Sequence, residues 1–503
     1  MKKPTLRSLG IQFGLWIVTG SVAVALIFLY KDDRFSAIIA GVVFAGAFLF
    51  TKYALRFDVL SAPLLYLGML GLFHLGLVVP WALGLYDPWQ MPLFYYAHLT
   101  PALGLVTLAV LCYQFGVMLG ARRQCLIPPR KASLPQDRNL FRCSIGLLIL
   151  GVVMYAVGYY VVFGWRLDIT YSDSFALVQQ ADSRWLGLAG VVTPVAAYAA
   201  LAGASRTQTM VLLGLVAAWV TWLLYLGSRG HGLIVAAVVV YLLAKKGLRP
   251  SRGLQLVLIG LVLFSIPAIK AIRSELGSRR LQALSGARLN PLDGIAEMGG
   301  SVFAVVQTHR LVGSSQYRHG LTYVHALSSI IPQAPWRYKP GRRLATMEQQ
   351  IEVSPALWVV WETNPGTAKR YGGLGFSPVA EAYMNFGFVG VCLIFLGLGY
   401  LLVFLEALSA RGPYLVAAQA IVLGPLLWTV RNDFSVFVGS AAWGLAYILV
   451  VWLVFVGSQR GARVVAGSRA SSPGSGLGPA RSALPGQATC GRSGSSTVPA
   501  QSD

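Results

Sequence analysis

Residues 378–404, PVAEAYMNFGFVGVCLIFLGLGYLLVF, decide how the rest of the chain is read. The run is apolar over a length that crosses a bilayer, and Glu381, near its start, is its one charged residue. Lipid offers no partners to backbone N–H and C=O groups, so a run of about 20 apolar residues is read as a membrane helix. Working outward, similar runs fall at 11–30, 36–54, 60–79, 101–120, 143–163, 185–203, 209–226, 233–244 and 254–271 before it, and at 414–430 and 436–457 after it. The run at 233–244 is short for a full crossing, which tilt or extension would correct.

One long interruption breaks the series. Residues 270–377 carry thirteen Lys/Arg and no apolar run of spanning length. The expected fold is therefore an all-α polytopic membrane protein, with about twelve transmembrane helices and one large, partly helical extracytoplasmic loop. Its expected parts are transmembrane helices 1–9 over residues 1–269, the loop over 270–377, helices 10–12 over 378–457, and a tail over 458–503.

Composition agrees. Hydrophobic residues make up 56% of the chain and charged ones 12%, too few for the surface of a soluble domain of this size. The net charge of +23 would suit nucleic acid, but its placement follows membrane topology instead. Lys2, Lys3 and Arg7 precede the first span, six arginines and lysines fill 121–142, and Lys245, Lys246, Arg249 and Arg252 follow the eighth. The opposite short loops hold only Lys31, Arg34, Arg166, Arg184, Arg229 and Arg431. The positive-inside rule then puts both termini in the cytoplasm and the 270–377 loop outside.

Lys2–Lys3 and Ala23-Val24-Ala25 faintly resemble a cleavable signal, but apolar residues run on to Tyr30, so an uncleaved first span is expected. The cysteines Cys112, Cys125, Cys143, Cys392 and Cys490 form no CxxC pair and predict no disulfide framework and no metal site. The tail is rich in Gly, Ser, Ala and Pro, lacks periodicity and reads as disordered.

The outer segments have their own character. Residues 80–100 hold Trp81, Tyr86, Trp89, Phe94, Tyr95 and Tyr96, rings that suit the interfacial belt or could stack on sugars. Within the large loop, Leu292, Ile295, Met298, Val302, Val306 and His309 recur at helical spacing and predict one helix with an apolar stripe. Pro332, Pro335, Pro340, Pro355 and Pro365 are expected to break the rest of the loop into irregular backbone.

Charged groups cluster at one depth, at the expected outer ends of the spans: Arg229, Lys270, Arg273, Glu381, Arg431 and Asp433. Such a ring reads as the rim of a polar cavity. Arginine's planar fork grips a diphosphate without a metal, and several together would stabilise it as a leaving group. The plainer readings stay open: Arg229 snorkelling to headgroups, Arg431 anchoring a turn through Asp433, and Arg279, Arg280, Arg342 and Arg343 as solvated loop charges. His319 and His325 are acid–base candidates by type alone.

Two motifs point to a family. Leu226-Gly227-Ser228-Arg229-Gly230 between two spans resembles the Ser-Arg-Gly signature of bacterial oligosaccharide repeat-unit polymerases of the O-antigen type. Residues 373–390, GLGFSPVAEAYMNFGFVG, resemble the family's segment leading into a late span, with Ser377, Glu381, Tyr383, Asn385, Phe386 and Gly387 on its pattern. Gly320-Leu321-Thr322-Tyr323, Ile331-Pro332, Trp336 and Lys339-Pro340 follow its loop pattern. Related O-antigen ligases carry a histidine-centred motif where Glu381 and Asn385 stand here.

The resemblance implies a membrane glycosyltransferase working outside the bacterial cytoplasmic (inner) membrane. It would join oligosaccharide units carried on undecaprenyl diphosphate into O-antigen or exopolysaccharide, with the lipid diphosphate leaving. Arg229 and Arg273 are the expected diphosphate ligands, with Arg431 assisting, and Glu381 is the expected group orienting or deprotonating the acceptor hydroxyl. Asn385, Tyr383, Ser377, Lys339 and Arg337 are expected to bind substrate. No cofactor or nucleic acid is expected, and a chain-length regulator protein is a candidate partner. Ligation to another acceptor and flipping of lipid-linked sugars are the competing readings. Few obviously broken or matched spans count against a transporter.

Overall fold

A computed structural model describes residues 6–86, 98–124, 136–164, 184–226, 229–248, 290–313, 316–328, 354–366 and 375–457, with a few isolated positions between them. Those up to Phe455 form one compact unit. Every regular element among the described residues is helical. In chain order these are α1 (Leu6–Tyr30), α2 (Asp33–Leu49, continued by a π turn Phe50–Ala54), α3 (Ala62–Leu75), α4 (Val78–Ala82), α5 (Leu99–Gln124), α6 (Arg138–Phe163), α7 (Arg184–Gly203), α8 (Arg206–Tyr225) and α9 (Arg229–Lys245). Then come α10 (Pro291–Met298), α11 (Val302–Val312), α12 (Leu321–Ser328), α13 (Pro355–Thr363), α14 (Pro378–Ser409), α15 (Pro413–Thr429) and α16 (Phe434–Trp452).

Seven of the described helices are long and apolar enough to cross a membrane, and four shorter apolar ones accompany them. This is a multi-pass membrane protein. The expected spans other than 60–79 and 254–271 fall on these helices within a few residues, and most of 254–271 lies outside the described residues. The expected tail and the central part of the large loop lie outside them too.

The centre of the bundle is the crossing of α5 and α14. A Cβ on Gly116 would stand 2.0 Å from the Leu396 carbonyl oxygen, and one on Gly399 2.1 Å from that of Tyr113. Only glycine lets the two backbones meet, which is how membrane helices gain packing where lipid removes the hydrophobic drive. Tyr113, Phe395, Leu103 and Val403 are buried around this seam.

Two expectations are corrected. The run at 60–79 is not one span: α3 stops at Leu75 and α4 starts at Val78. The loop supplies the reason, because the Ile295 carbonyl oxygen lies 2.9 Å from where a Gly76 Cβ would be and Leu77 N lies 2.1 Å from that of Gly299. The backbone of the loop helices is seated in the break. The stripe through 292–309 is likewise two helices, α10 and α11, joined by a 3-10 turn at Gly299–Ser301. The Gly299-Gly300 pair, poor in helix propensity, sets the joint. The stripe still faces inward, with Val302 and Val306 buried. Pro355, expected to break structure, instead opens α13 at its first turn, capped by the Ser354 hydroxyl.

Candidate functional site: the buried junction at the start of the late span

The first two turns of α14 are where the family-like motif sits. Ser377 has an extended backbone and caps the helix, its hydroxyl accepting from Val379 N at 3.1 Å and Ala380 N at 3.4 Å. Proline at the first helical position fits that start. The same Ser377 hydroxyl lies 2.7 Å from His74 Nε2, while His74 Nδ1 lies 3.0 Å from the Leu70 carbonyl oxygen. A carbonyl can only accept, so Nδ1 carries the proton and Nε2 accepts from Ser377. Both side chains are fully buried.

One turn on, Glu381 is 2% exposed. Its Oε1 accepts from the Thr322 hydroxyl at 2.7 Å and its Oε2 from Phe434 N at 2.8 Å. The carboxyl thus ties the loop helix α12 to the start of the last span, α16. Asn385, fully buried, completes the clamp. Its amide donates to the Thr322 hydroxyl and to the Glu381 carbonyl, each at 2.8 Å, and its Oδ1 accepts from Gly320 N at 3.0 Å. Arg318 N donates to the Met384 carbonyl at 3.0 Å. The Gly-x-Thr-Tyr segment of the loop is therefore docked on the Glu-x-x-x-Asn face of α14. Asn385, expected to bind substrate, is also the bolt between them.

Two backbone positions make the docking feasible. Gly387 departs from helical geometry within α14 at φ 64°, ψ −149°, and a Cβ there would press on the Tyr317 ring and hydroxyl at 3.1–3.4 Å. Gly320 has φ +86°, and a Cβ there would stand 2.8 Å from Phe386 Cζ. Both conformations fall in the region that side chains rarely adopt.

Rings close the junction. Tyr383 stacks on His309 at 5.5 Å and meets Tyr317 edge-on at 6.1 Å. Tyr323 stacks on Phe386 at 6.1 Å and meets Phe434 edge-on at 5.2 Å. Burial, then the Glu381 carboxylate, push the Tyr323 phenol well above its usual range, so it stays protonated. Burial, then neighbouring His98, hold the His309 imidazole below its ordinary value. The Arg318 guanidinium lies 4.7 Å over the Trp358 ring.

Of the expected site residues, the structure brings Ser377, Glu381, Tyr383 and Asn385 together. Arg431 is adjacent: its carbonyl accepts from Phe376 N at 2.7 Å, and it lines a cavity of about 270 Å³ with Glu297, Gln307, Asn364 and Gly375. Asp433, the expected partner of Arg431, caps α16 by accepting from Ser435 N at 3.2 Å. Arg229 begins α9, and its side chain lies outside the described residues, as do Arg273, Lys270, Arg337 and Lys339. Beside the start of α9, an apolar cavity of about 500 Å³ is lined by Tyr159, Trp219, Pro425 and Trp428, and the His231 ring lies tilted against that of Trp428, centroids 4.0 Å apart.

Sequence reasoning passed over His74, Thr322 as an individual partner, and Gln307. His74 carried a usable signal, an ionisable residue deep in an apolar run. Among the described residues no group of three or more His, Cys, Asp or Glu could hold a metal ion.

No curated protein and no solved structure matches the chain. Residues 13–459, which include the whole Ser377–Asn385 clamp and the loop docked on it, match the family model described as O-antigen polysaccharide polymerase Wzy. The chain therefore belongs to the Wzy family of O-antigen polymerases.

Proposed function

We propose that the protein joins oligosaccharide repeat units carried on undecaprenyl diphosphate, on the outer face of the cytoplasmic membrane. The observation that carries the reading is the buried clamp itself. The family-like residues of α14 and of the loop converge on one carboxylate, Glu381, held by neutral donors at 2.7 and 2.8 Å. When ionised, a carboxylate offers about four acceptor sites. The described donors occupy two, leaving capacity for an acceptor hydroxyl.

In the proposed step, the acceptor hydroxyl oxygen forms a bond to the anomeric carbon of the donor sugar. The bond from that carbon to the lipid diphosphate breaks, and its electron pair leaves with the diphosphate. The hydroxyl proton passes to Glu381. Arg229 and Arg273, with Arg431 assisting, neutralise the charge that grows on the leaving group. The apolar cavity beside the start of α9 gives the lipid chain a place close to Arg229. The concentration of basic residues in the opposite short loops supports the outward orientation and cytoplasmic termini. Lys339 and Arg337 are proposed substrate contacts of the loop, and a chain-length regulator is the proposed protein partner.

Reconstitution with purified lipid-linked repeat units tests this. A ladder of longer lipid-linked products is the expected result. Transfer to another acceptor without a ladder would indicate a ligase, and movement across the bilayer without bond formation a flippase. Arg229→Lys keeps the charge and removes the fork, so polymer of full length from this variant would remove the bidentate role.

A further inference from the structure

The cavity of about 270 Å³ lies between α10, α11, α13 and the Gly375–Arg431 pair. Gln307, on α11, lines it. The residue is 3% exposed, and neither its Nε2 nor its Oε1 has a hydrogen-bond partner among the described residues. A buried amide with both ends unmatched is rare in folded proteins and destabilising unless something pairs with it. Nothing in the helix needs it there. Its neighbours Val305 and Val306 are buried apolar side chains, and leucine or methionine would fill the place without the penalty.

The walls say what would pair with it. Arg431 and Glu297 bring one cation and one carboxylate to the same small space, and Asn364 adds a second amide. Phe303 and Met298 supply apolar surface. An anion would meet Arg431 but face the Glu297 carboxylate and the Gln307 oxygen. A lipid chain would leave the Gln307 amide unmatched. A ligand bearing adjacent hydroxyls satisfies both ends of that amide: each hydroxyl donates and accepts, so two in a row match its plane, and the C–H face rests on the apolar wall. The volume lies below the roughly 300–1,000 Å³ of pockets for drug-sized ligands, so one sugar residue, not an oligosaccharide, is the fit.

The cavity adjoins the clamp. Gly375 stands two residues before the Ser377 cap, and Arg431 three before Phe434, whose N–H holds Glu381. We propose that this cavity is a glycosyl subsite, and that Gln307 is its specificity-determining residue, reading the hydroxyls of one sugar of the acceptor unit. The acceptor assignment rests on the polymerase reading; the sugar site itself does not.

The test uses the purified full chain in lipid nanodiscs. The probe is the repeat-unit oligosaccharide released by mild acid from the host's own lipid-linked pool. Gln307→Met is nearly isosteric and removes both polar atoms. Its affinity for the oligosaccharide should fall at least tenfold, while the melting temperature without oligosaccharide does not fall. In the polymerisation assay, KM for the acceptor should rise by a similar factor, with kcat within about twofold at saturation. Affinity equal to that of the unaltered chain overturns the proposal. So does a loss of affinity that comes with a lowered melting temperature. Should Gln307→Met fail to accumulate, Asn364→Ala, at an exposed position, carries the test: about threefold weaker binding supports the subsite and none overturns it. Gln307-dependent binding by a chain that builds no ladder would keep the subsite and dismiss the polymerase reading. A ladder with Gln307-independent binding would do the reverse.

Discussion

Helix α14 carries a glutamate at each end, and the two are held in opposite ways. Glu406, in its last turns, meets a cation: its Oε1 lies 2.5 Å from Lys245 Nζ, and its Oε2 accepts from Gln419 Nε2 at 3.1 Å and Ala62 N at 3.2 Å. Glu381, in its first turn, is held among the described residues by a hydroxyl and a backbone N–H, with no cation on either oxygen. A half-buried carboxylate matched by a lysine has its charge compensated and is suited to fastening helices. A buried carboxylate matched only by neutral donors has an uncompensated charge, so it takes up a proton readily. The contrast separates the end of the helix that holds the bundle from the end proposed to serve the reaction.

Four measurements would break or sharpen the contrast. The largest effect belongs to Glu381→Gln, which keeps the shape and removes the base. Ladder formation per folded molecule should fall about 10²–10⁴-fold, with about 1–3 kcal/mol lost in stability because the new amide NH2 replaces one acceptor of the clamp, and normal turnover would end the base role. Next is Asn385→Leu, which orphans Gly320 N and removes both donors of the bolt. A loss of about 2–3 kcal/mol is expected by thermal or denaturant unfolding in detergent, together with protease sensitivity at α12.

Glu406→Ala comes third. Lys245 and Glu406 keep 22% and 15% of their side chains exposed, so the loss lies between the surface and the fully buried limits, at about 2 kcal/mol. Turnover per folded molecule should stay the same, and a matching loss of turnover would show that both ends of α14 serve the reaction. The smallest effect is Gly387→Ala. Its backbone falls where a side chain strains by about 1–3 kcal/mol, and the shift in melting temperature should sit at the low end because the Tyr317 ring can yield. An unchanged value would mean that the kink relaxes and the clamp does not depend on it.

Much of this was legible beforehand, for reasons that differ from place to place. The spans were, because a bilayer forces backbone polar groups to pair within one helix and hydropathy records that locally. The break in 60–79 was not, because its cause, the Ile295 and Gly299 backbone, lies more than 200 residues away. The stripe of α10 and α11 named the buried face correctly but ran through the joint, since periodicity is insensitive to a single 3-10 turn. At the site, Ser377, Glu381 and Asn385 could be named from their motif, yet their partners could not. Thr322 and Gly320 are about sixty residues away, Phe434 is on another helix, and His74 is separated from Ser377 by 303 positions.

The amino-acid sequence by itself determined that this chain is a helical, multi-pass membrane protein with a polar loop before its late spans, since hydropathy and charge act residue by residue. Only the tertiary structure decided that Glu381 is held by neutral donors while Glu406 has a lysine, and that Gln307 faces a polar cavity with its amide unmatched. Compensation of a buried charge and satisfaction of a buried amide depend on which distant atoms arrive within about 3 Å, and no local pattern encodes that arrival.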